Sequence, residues 1–215
     1  MPSQLIFLGA PGSGKGTQAG KLVDEIGVKH VSTGDILRSE IGKGSDLGKK
    51  VKSIIDNGDL VDDQTMLDLL KANCDVSTGV FIFDGFPRTM EQAKSLGEQL
   101  LQDLETKAVL FEVDQEKIVE RLTNRRVCRE CNAIYNMLMA KPKVEGVCDS
   151  CGSKSIYQRN DDKEDVIRNR ISVYNNAIAP VVGFYEDEKV LVRIDASQSP
   201  EVVFKDLLNA VSSTH

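Results

Sequence analysis

Short apolar runs alternate along the chain with longer segments in which apolar residues recur every three or four positions. The short runs predict buried β-strands and the longer segments predict amphipathic helices. The predicted strands are Leu5–Gly9, Lys29–Ser32, Val80–Asp84, Ala108–Val113 and Val190–Asp195. The predicted helices are Thr17–Ile26, Asp35–Glu40, Leu47–Asp56, Asp62–Asn73, Met90–Gln102, Gln115–Arg125, Glu164–Val182 and Pro200–Val211. This alternation predicts an α/β fold, a parallel five-stranded sheet flanked by helices.

Two long segments interrupt the alternation. Thr33–Val61 is helical and punctuated by glycine, whereas Asn124–Asp161 shows no clear helix and holds four of the five cysteines. We interpret them as two inserted lobes, residues 32–61 and 124–161. The core is then formed by residues 1–31, 62–123 and 162–215.

The first strand runs into a glycine-rich loop in the stretch LIFLGAPGSGKGT. Gly9 to Lys15 fits the phosphate-loop pattern Gly-x4-Gly-Lys, although Gly16 follows the lysine and the hydroxyl comes one position later, at Thr17. Glycines let successive N–H groups face one anion, and the following helix N-terminus adds partial positive charge. The alternative is a glycine-rich turn that only connects a strand to a helix. The order and spacing of the strand, the lysine and the helix favour a phosphate site.

A second strand ends on an acidic residue in VFIFDGFPRT. Asp84 stands where phosphate-loop enzymes place a carboxylate that meets Mg²⁺, often through water. The alternative is an aspartate that caps a turn. Pro87 permits a cis peptide bond in the turn that follows, and Arg88 carries a planar group that can bind two phosphate oxygens.

The cysteines of the second inserted segment form two pairs, Cys128-x2-Cys131 and Cys148-x2-Cys151, with 16 residues between the pairs. This is the spacing of a four-thiolate zinc site. Four protein ligands leave no open position, so we expect a structural Zn²⁺; the alternative is a redox-labile or degenerate site. Cys74 stands alone and is expected to be a small buried apolar residue.

Composition narrows the function classes. The chain has 215 residues, a net charge of −6 and a pI near 5.1, which argues against general nucleic-acid binding. No apolar run approaches the roughly 20 residues of a membrane span. The N-terminus lacks the basic region of a signal peptide. We therefore expect a cytoplasmic protein without nucleic-acid or membrane partners.

Ten arginines are present, and none lies in the first 37 residues. Arg121, Arg125 and Arg126 fall at one predicted helix end. Arg159, Arg168 and Arg170 border the cysteine segment. Positioned cations are what phosphoryl transfer requires, because charge spreads over several oxygens. We expect Arg126 and Arg168 to lie on solvated helix faces instead.

These motifs together resemble the adenylate kinase family, in its bacterial long-lid form with a zinc-bearing lid. The residues that carry the resemblance are GAPGSGKGT, STGDILR at 32–38, DGFPRT at 84–89 with Gln92, and the stretch from RRVCRECNAIYN to YQRNDD. The likeness covers nearly the whole chain, with motif order and spacing in agreement. It implies a P-loop NTPase fold and a reversible reaction in which MgATP and AMP give two ADP.

The resemblance also implies site residues. ATP would be bound by Gly12, Ser13, Gly14, Lys15, Gly16, Thr17, Arg121, Arg125, Ile134, Tyr135 and Gln198. AMP would be bound by Thr33, Arg38, Asp59, Leu60, Val61, Gly85, Phe86, Pro87, Arg88, Gln92, Arg159 and Arg170, with Gln92 reading the adenine edge. Catalytic roles would fall to Lys15, Arg88, Arg121, Arg125, Arg159 and Arg170.

This sequence departs from the common family pattern at two places. DASQS around Gln198 differs from the usual residues, and the fourth zinc position is cysteine where many members have aspartate. The resemblance further implies Mg²⁺ with ATP, a structural Zn²⁺, a monomer, and lobes that close over the nucleotides.

Two alternative functions stay open on the sequence. One is another nucleoside monophosphate kinase, for UMP, CMP or GMP. The other is a nucleotide-dependent switch or a nucleic-acid-binding zinc module. The second lacks its expected signs, since only 5% of residues are aromatic and the net charge is negative.

Overall fold

The computed structural model describes residues 4–102 and 104–212. Eight strands can be defined in this part of the chain. They are β1 (Gln4–Gly9), β2 (Lys29–Ser32), β3 (Phe81–Asp84), β4 (Thr106–Glu112), β5 (Arg125–Cys128), β6 (Ile134–Asn136), β7 (Ile156–Tyr157) and β8 (Leu191–Asp195).

Five of these strands form one parallel sheet in the order β2-β3-β1-β4-β8. The predicted α/β architecture is thereby confirmed. Ser32 pairs with Asp84, and Phe7 pairs with Asp84 from the other side. The carboxyl ends of β1, β2 and β3 therefore meet at one edge, where ligands bind in open α/β sheets.

The described residues also form eight α-helices. They are α1 (Lys15–Ile26), α2 (Thr33–Lys43), α3 (Asp46–Asn57), α4 (Asp63–Asn73), α5 (Met90–Leu96), α6 (Gln115–Thr123), α7 (Glu164–Asp187) and α8 (Pro200–Ser212). Several begin after a side chain that accepts a hydrogen bond from the first turn, such as Ser32 for α2 and Thr89 for α5. These polar caps fix where each helix starts.

Apolar side chains pack on both faces of the sheet. Helices α2 to α5 and α7 cover one face, where Phe83, Leu70 and Tyr185 are buried. Helices α1 and α8 cover the other face around Phe7, Leu22 and Leu207. Cys74 is buried in the first of these clusters, as the sequence predicted.

Some predicted element boundaries were wrong. Helix α6 ends at Thr123, so Arg125 and Arg126 lie on strand β5 and not at a helix end. Arg126 is half-buried and donates to two backbone carbonyls. Helix α5 ends at Leu96 and continues as a π-helical turn, Gly97–Leu101. Arg168, in contrast, is half-exposed on α7 and pairs with Glu116 and Glu164, as predicted.

The cysteine segment contains a second, antiparallel sheet in the order β6-β5-β7. As expected, no α-helix is found in residues 124–161. Its buried cluster is small and consists of Cys128, Tyr135 and Cys148.

Candidate active site

A cavity of about 610 Å³ opens at the carboxyl ends of the central strands. The glycine-rich loop, the start of α2, the end of β3, the β6 region and α7 all contribute to its wall. Most of the residues predicted for nucleotide binding line this cavity or a smaller neighbouring one of about 50 Å³.

The glycine-rich loop joins β1 to α1, as its sequence predicts. Gly12 and Gly14 have φ angles of 82° and 100°, in the left-handed region that favours glycine. A side chain at Gly12 would also meet Leu122, whose Cγ lies 2.7 Å from the Cβ position. Helix α1 begins at Lys15, so its unpaired N–H groups face the loop and can bind an anion.

Lys15 lies over the loop from which it projects. Its Nζ donates to Gly9 O at 2.7 Å and to Ala10 O at 2.9 Å. Burial lowers the pKa of Lys15 to about 8, partly opposed by the negative charge of Asp84 and reinforced by nearby arginines. The amine is therefore a partly desolvated cation next to the position that phosphates would occupy.

Asp84 ends β3 and is the carboxylate nearest the loop. Its Oδ2 lies 3.2 Å from His30 Nε2 and 3.6 Å from the Cβ position of Gly16. Burial acts to raise the pKa of Asp84, but the His30 contact and the charge of Lys15 outweigh it, so the pKa lies below its usual value. An ionised carboxylate is a suitable oxygen ligand for Mg²⁺, directly or through water.

The turn after Asp84 contains a cis Phe86–Pro87 peptide bond. Arg88 Nε donates to Gly85 O at 2.8 Å, which holds the guanidinium against the end of the sheet. Burial lowers the pKa of Arg88, partly countered by Asp84. Phe86 is buried in the core, so its side chain supports the turn, whereas Pro87 and Arg88 line the larger cavity.

Five further arginines line the same cavity, and carboxylates hold four of them. Arg38 lies 2.7 Å from Asp35 on α2. Arg125 forms a two-pronged ion pair with Asp162, at 2.8 and 2.6 Å. Arg170 lies 3.0 Å from Asp161. Arg159 lies 3.3 Å from Asp35, on α2. Arg121 donates to Ala196 O instead, at 2.9 Å.

Burial and neighbouring charges affect the ionisation of this cluster. Burial, together with the charges of Arg38 and Arg125, lowers the pKa of Arg159 to about 10. Burial lowers the pKa of Arg170 to about 10 as well, against the opposing effect of Asp161. Both groups stay charged at neutral pH, so the cleft carries concentrated positive charge in an acidic protein.

The smaller cavity adjoins the first between α2, the α3–α4 connection and α5. Its wall includes Thr33, Arg38, Asp59, Leu60, Val61, Gly85, Arg88, Gln92 and Arg170. These residues were predicted to bind the monophosphate. Thr33 and Gln92 are almost fully buried, so their polar groups face protein or the cavity and not bulk water.

The larger cavity is also lined by Ile134, Tyr135 and Gln198, the residues predicted to surround the ATP base. Asn136, Met139 and Val203 line it too. The Tyr135 hydroxyl donates to Cys148 Sγ at 3.3 Å and accepts from Asp149 N at 2.7 Å. Tyr135 therefore links this wall to the cysteine cluster.

The four cysteines of residues 124–161 lie together, with all four Sγ atoms within 4.8 Å of one another. Cys128 and Cys151 are 3.6 Å apart and Cys131 and Cys148 are 3.5 Å apart. Four sulfurs around Zn²⁺ at 2.3 Å would be separated by about 3.8 Å in a tetrahedron. The donor set and its spacing thus fit zinc.

Comparison with known proteins decides which family this site belongs to. The profile of the family described as adenylate kinase matches residues 7–190. The chain is 45% identical over 213 residues to the adenylate kinase of Petrotoga mobilis, with 98% of each chain covered. It is 44% identical to that of Fervidobacterium nodosum, with 95% of each covered, and 42% identical to that of Enterococcus faecalis, with 94% and 96% covered.

The chain belongs to the adenylate kinase family. It is accordingly a nucleoside monophosphate kinase with the P-loop NTPase fold. The comparisons support adenylate kinase activity. Neither alternative is favoured, whether a kinase for UMP, CMP or GMP or a nucleotide-dependent switch or nucleic-acid-binding module. In the described part of the chain, no helix combines the length and apolar character needed to cross a membrane.

The sequence did not predict several residues of this adenylate kinase site. His30, which contacts Asp84, was not assigned a partner. Asp35, Asp161 and Asp162 hold the arginines. The signal for the last two was present in the motif YQRNDD, where two acidic residues follow Arg159.

Proposed function

We propose that this member of the adenylate kinase family transfers the terminal phosphoryl group of MgATP to AMP, giving two ADP. The observation that carries this proposal is the convergence of Lys15, Arg88 and the arginines of the cleft between the glycine-rich loop and the smaller cavity. The bond between the γ-phosphorus of ATP and the oxygen that bridges it to the β-phosphate breaks, and ADP leaves. An oxygen of the AMP phosphate forms a new bond to the same phosphorus, which gives the second ADP. The converging cations neutralise the charge on the phosphorus oxygens during this transfer.

On the donor side, the backbone N–H groups of residues 12–17 bind the ATP phosphates and Lys15 follows the transferring group. Arg121 and Arg125 approach from the β5 side, while Ile134, Tyr135 and the backbone at Gln198 enclose the base. Support comes from the shared cavity that these residues line.

On the acceptor side, AMP occupies the smaller cavity. Arg38 and Arg88 bind its phosphate, Thr33 and residues 59–61 enclose the nucleoside, and Gln92 reads the adenine edge. Arg159 and Arg170 lie between the two phosphate positions. The placement of Arg88 and Arg170 along both cavities supports this division.

Two metals complete the proposal. Asp84 would hold Mg²⁺ through water, because this carboxylate ends β3 next to the loop. The chemistry that Mg²⁺ supplies when bound is charge neutralisation on the phosphate oxygens. Cys128, Cys131, Cys148 and Cys151 would hold a structural Zn²⁺ with no open coordination position.

Residues 32–61 form the monophosphate-binding lobe and residues 124–161 form the lid in this proposal. Closure of both over the core excludes water, which would otherwise accept the phosphoryl group. Reopening limits turnover, as in many lid enzymes. The enzyme acts as a cytoplasmic monomer. It binds no nucleic acid, which its net charge of −6 supports.

The test is ADP formation from AMP and MgATP, with Arg88→Ala beside wild type. Loss of a cation that contacts the transferring group is expected to lower kcat/KM by at least about 100-fold. Arg168→Ala is the matched control, because Arg168 pairs with surface glutamates outside the cleft. Replacing AMP by UMP, CMP or GMP tests the acceptor class. No ADP from AMP with metal-replete wild type would refute the proposal.

A further inference from the structure

The side-chain amide of Gln92 is held in one orientation by one hydrogen-bond donor and one acceptor. Its Oε1 accepts from Arg88 N at 2.7 Å, and its Nε2 donates to Asp63 Oδ1, also at 2.7 Å. The side chain is 2% exposed and lines the smaller cavity. A glutamine amide has two acceptor positions and two donor hydrogens, so one of each is left after these two bonds.

The partners forbid the reversed amide. A backbone N–H can only donate and an ionised carboxylate can only accept. Turning the amide over would bring Nε2 against the Arg88 N–H and Oε1 against the Asp63 carboxylate. Two buried hydrogen bonds would be lost and replaced by repulsive contacts.

Asp63 is itself fixed by a third residue. The Thr89 hydroxyl accepts from Gln92 N at 3.2 Å, so its own proton is left to donate to Asp63 Oδ2, at 3.2 Å. Asp63 is also the first residue of α4, which fixes its backbone. Both carboxylate oxygens thus serve as acceptors in a small network that joins α4 to α5.

The remaining amide positions match one class of base. An adenine edge offers a donor at N6 and an acceptor at N1, which pair with Oε1 and Nε2 of the amide as it is held. A 6-oxopurine, such as hypoxanthine, offers an acceptor at O6 and a donor at N1, and would need the reversed amide. The two bases have nearly the same shape.

We propose that Asp63 is a specificity-determining positioning residue, which locks the Gln92 amide so that the acceptor site takes 6-aminopurine and rejects 6-oxopurine monophosphates. This inference rests on the proposed function, because it assumes that the smaller cavity binds AMP. A purely structural role for the same contacts is the competing explanation. The spacing Thr89-x-x-Gln92 is that of a helix capping box.

The experiment compares kcat/KM for AMP and for IMP, each with saturating MgATP, in wild type, Asp63→Ala and Asp63→Asn. Asp63→Ala is expected to lower the AMP:IMP ratio by at least about tenfold and to raise KM for AMP, with KM for ATP unchanged. Asp63→Asn keeps an oxygen that accepts from Nε2, so it restores the ratio to within about threefold of wild type.

Asp62→Ala is the matched control. Asp62 caps the same helix through Thr65, and within the described residues it makes no hydrogen bond to Gln92, so its loss weakens α4 without freeing the amide. The control is expected to keep the wild-type ratio. Asp63→Ser, which suits a helix N-terminus but is too short to reach Nε2, replaces the alanine variant if that one melts below the assay temperature.

The outcomes separate the two proposals. Wild type that phosphorylates no AMP refutes the proposed function. If wild type phosphorylates AMP and Asp63→Ala has the same AMP:IMP ratio as wild type, only the proposed role of Asp63 is overturned. If Asp62→Ala lowers the AMP:IMP ratio as far as Asp63→Ala does, the proposed role of Asp63 is also overturned. The stability of the helix end, and not the amide orientation, would then determine the ratio.

Discussion

At the scale of single residues, Lys15 shows how phosphate binding would change the ionisation of a loop side chain. Its amine donates to two carbonyls of its own loop, and burial lowers its pKa to about 8. A polyphosphate favours the charged amine and raises this pKa again. Between the lowered value and the ordinary 10.5, the free amine is largely neutral and the bound one charged.

ATP binding at alkaline pH is therefore expected to take up protons. At pH 8.5 the uptake should approach about 0.7 proton per site, and affinity should fall as pH rises further. Calorimetric titrations with MgATP in two buffers of different ionisation enthalpy measure the uptake directly.

A neighbouring lysine provides the control for this measurement. Lys21 pairs with Glu201 on the surface, so Lys21→Gln should leave the uptake unchanged. Binding that exchanges no proton in wild type at pH 8.5 would contradict the shifted pKa of Lys15.

The sequence predicted the site residues that belong to short local motifs. The loop glycines, Lys15, Asp84 and Arg88 occur in short stretches whose spacing carries the chemistry. His30, Asp35 and Asp63 could not be found this way. Their partners lie 54, 124 and 29 positions away, at Asp84, Arg159 and Gln92. Only the packing of separate elements brings such pairs together.

At the scale of elements, the alternation of strand and helix predicted the parallel sheet, but not every element end. Helix α7 runs to Asp187, five residues beyond its predicted end, because Tyr185 continues the buried stripe of Val181. Arg125 was assigned to a helix because β5 and its polar neighbours lack the apolar pattern of a strand. The stability of β5 depends on its pairing with β6 and β7. Long-range pairing of this kind leaves little trace in a local pattern.

The cysteine segment, residues 124–161, is expected to depend on a bound metal for its stability. Three buried residues form its cluster, which is a small core for a segment of this length. Zinc should therefore supply much of its folding energy. Cys131→Ser and Cys151→Ser are each expected to lower zinc content and to lower the melting temperature by at least about 5 °C.

Zinc analysis and thermal melts of the purified variants test this expectation. Cys74→Ala serves as the cysteine control, since Cys74 is buried in the main core and should keep one zinc per chain. A Cys131→Ser protein with full zinc content and an unchanged melt would exclude a four-thiolate site.

At the scale of the whole molecule, ion pairs tie together parts of the chain that the proposed mechanism requires to separate. Asp35 on α2 contacts Arg159, which follows β7, at 3.3 Å. Arg38 on α2 lies 4.0 Å from Asp161, and Asp161 lies 3.0 Å from Arg170 on α7. Carboxylates thus occupy the arginines in the free protein, in place of the phosphates that would compete for them.

Removing Asp35 should therefore loosen the contact between residues 32–61 and residues 124–161. A partly exposed ion pair contributes about 0.2–1 kcal/mol, so Asp35→Ala is expected to raise the open-to-closed ratio by about 1.4- to 5-fold without nucleotide. Small-angle X-ray scattering at low ionic strength should then give a larger radius of gyration than for wild type. Asp46→Ala is the matched control, because Asp46 is fully exposed on α3 and its ion pair among the described residues is with Lys49, in the same helix. Identical scattering from Asp35→Ala and Asp46→Ala would mean that the bridge to Arg159 does not hold the lobes together.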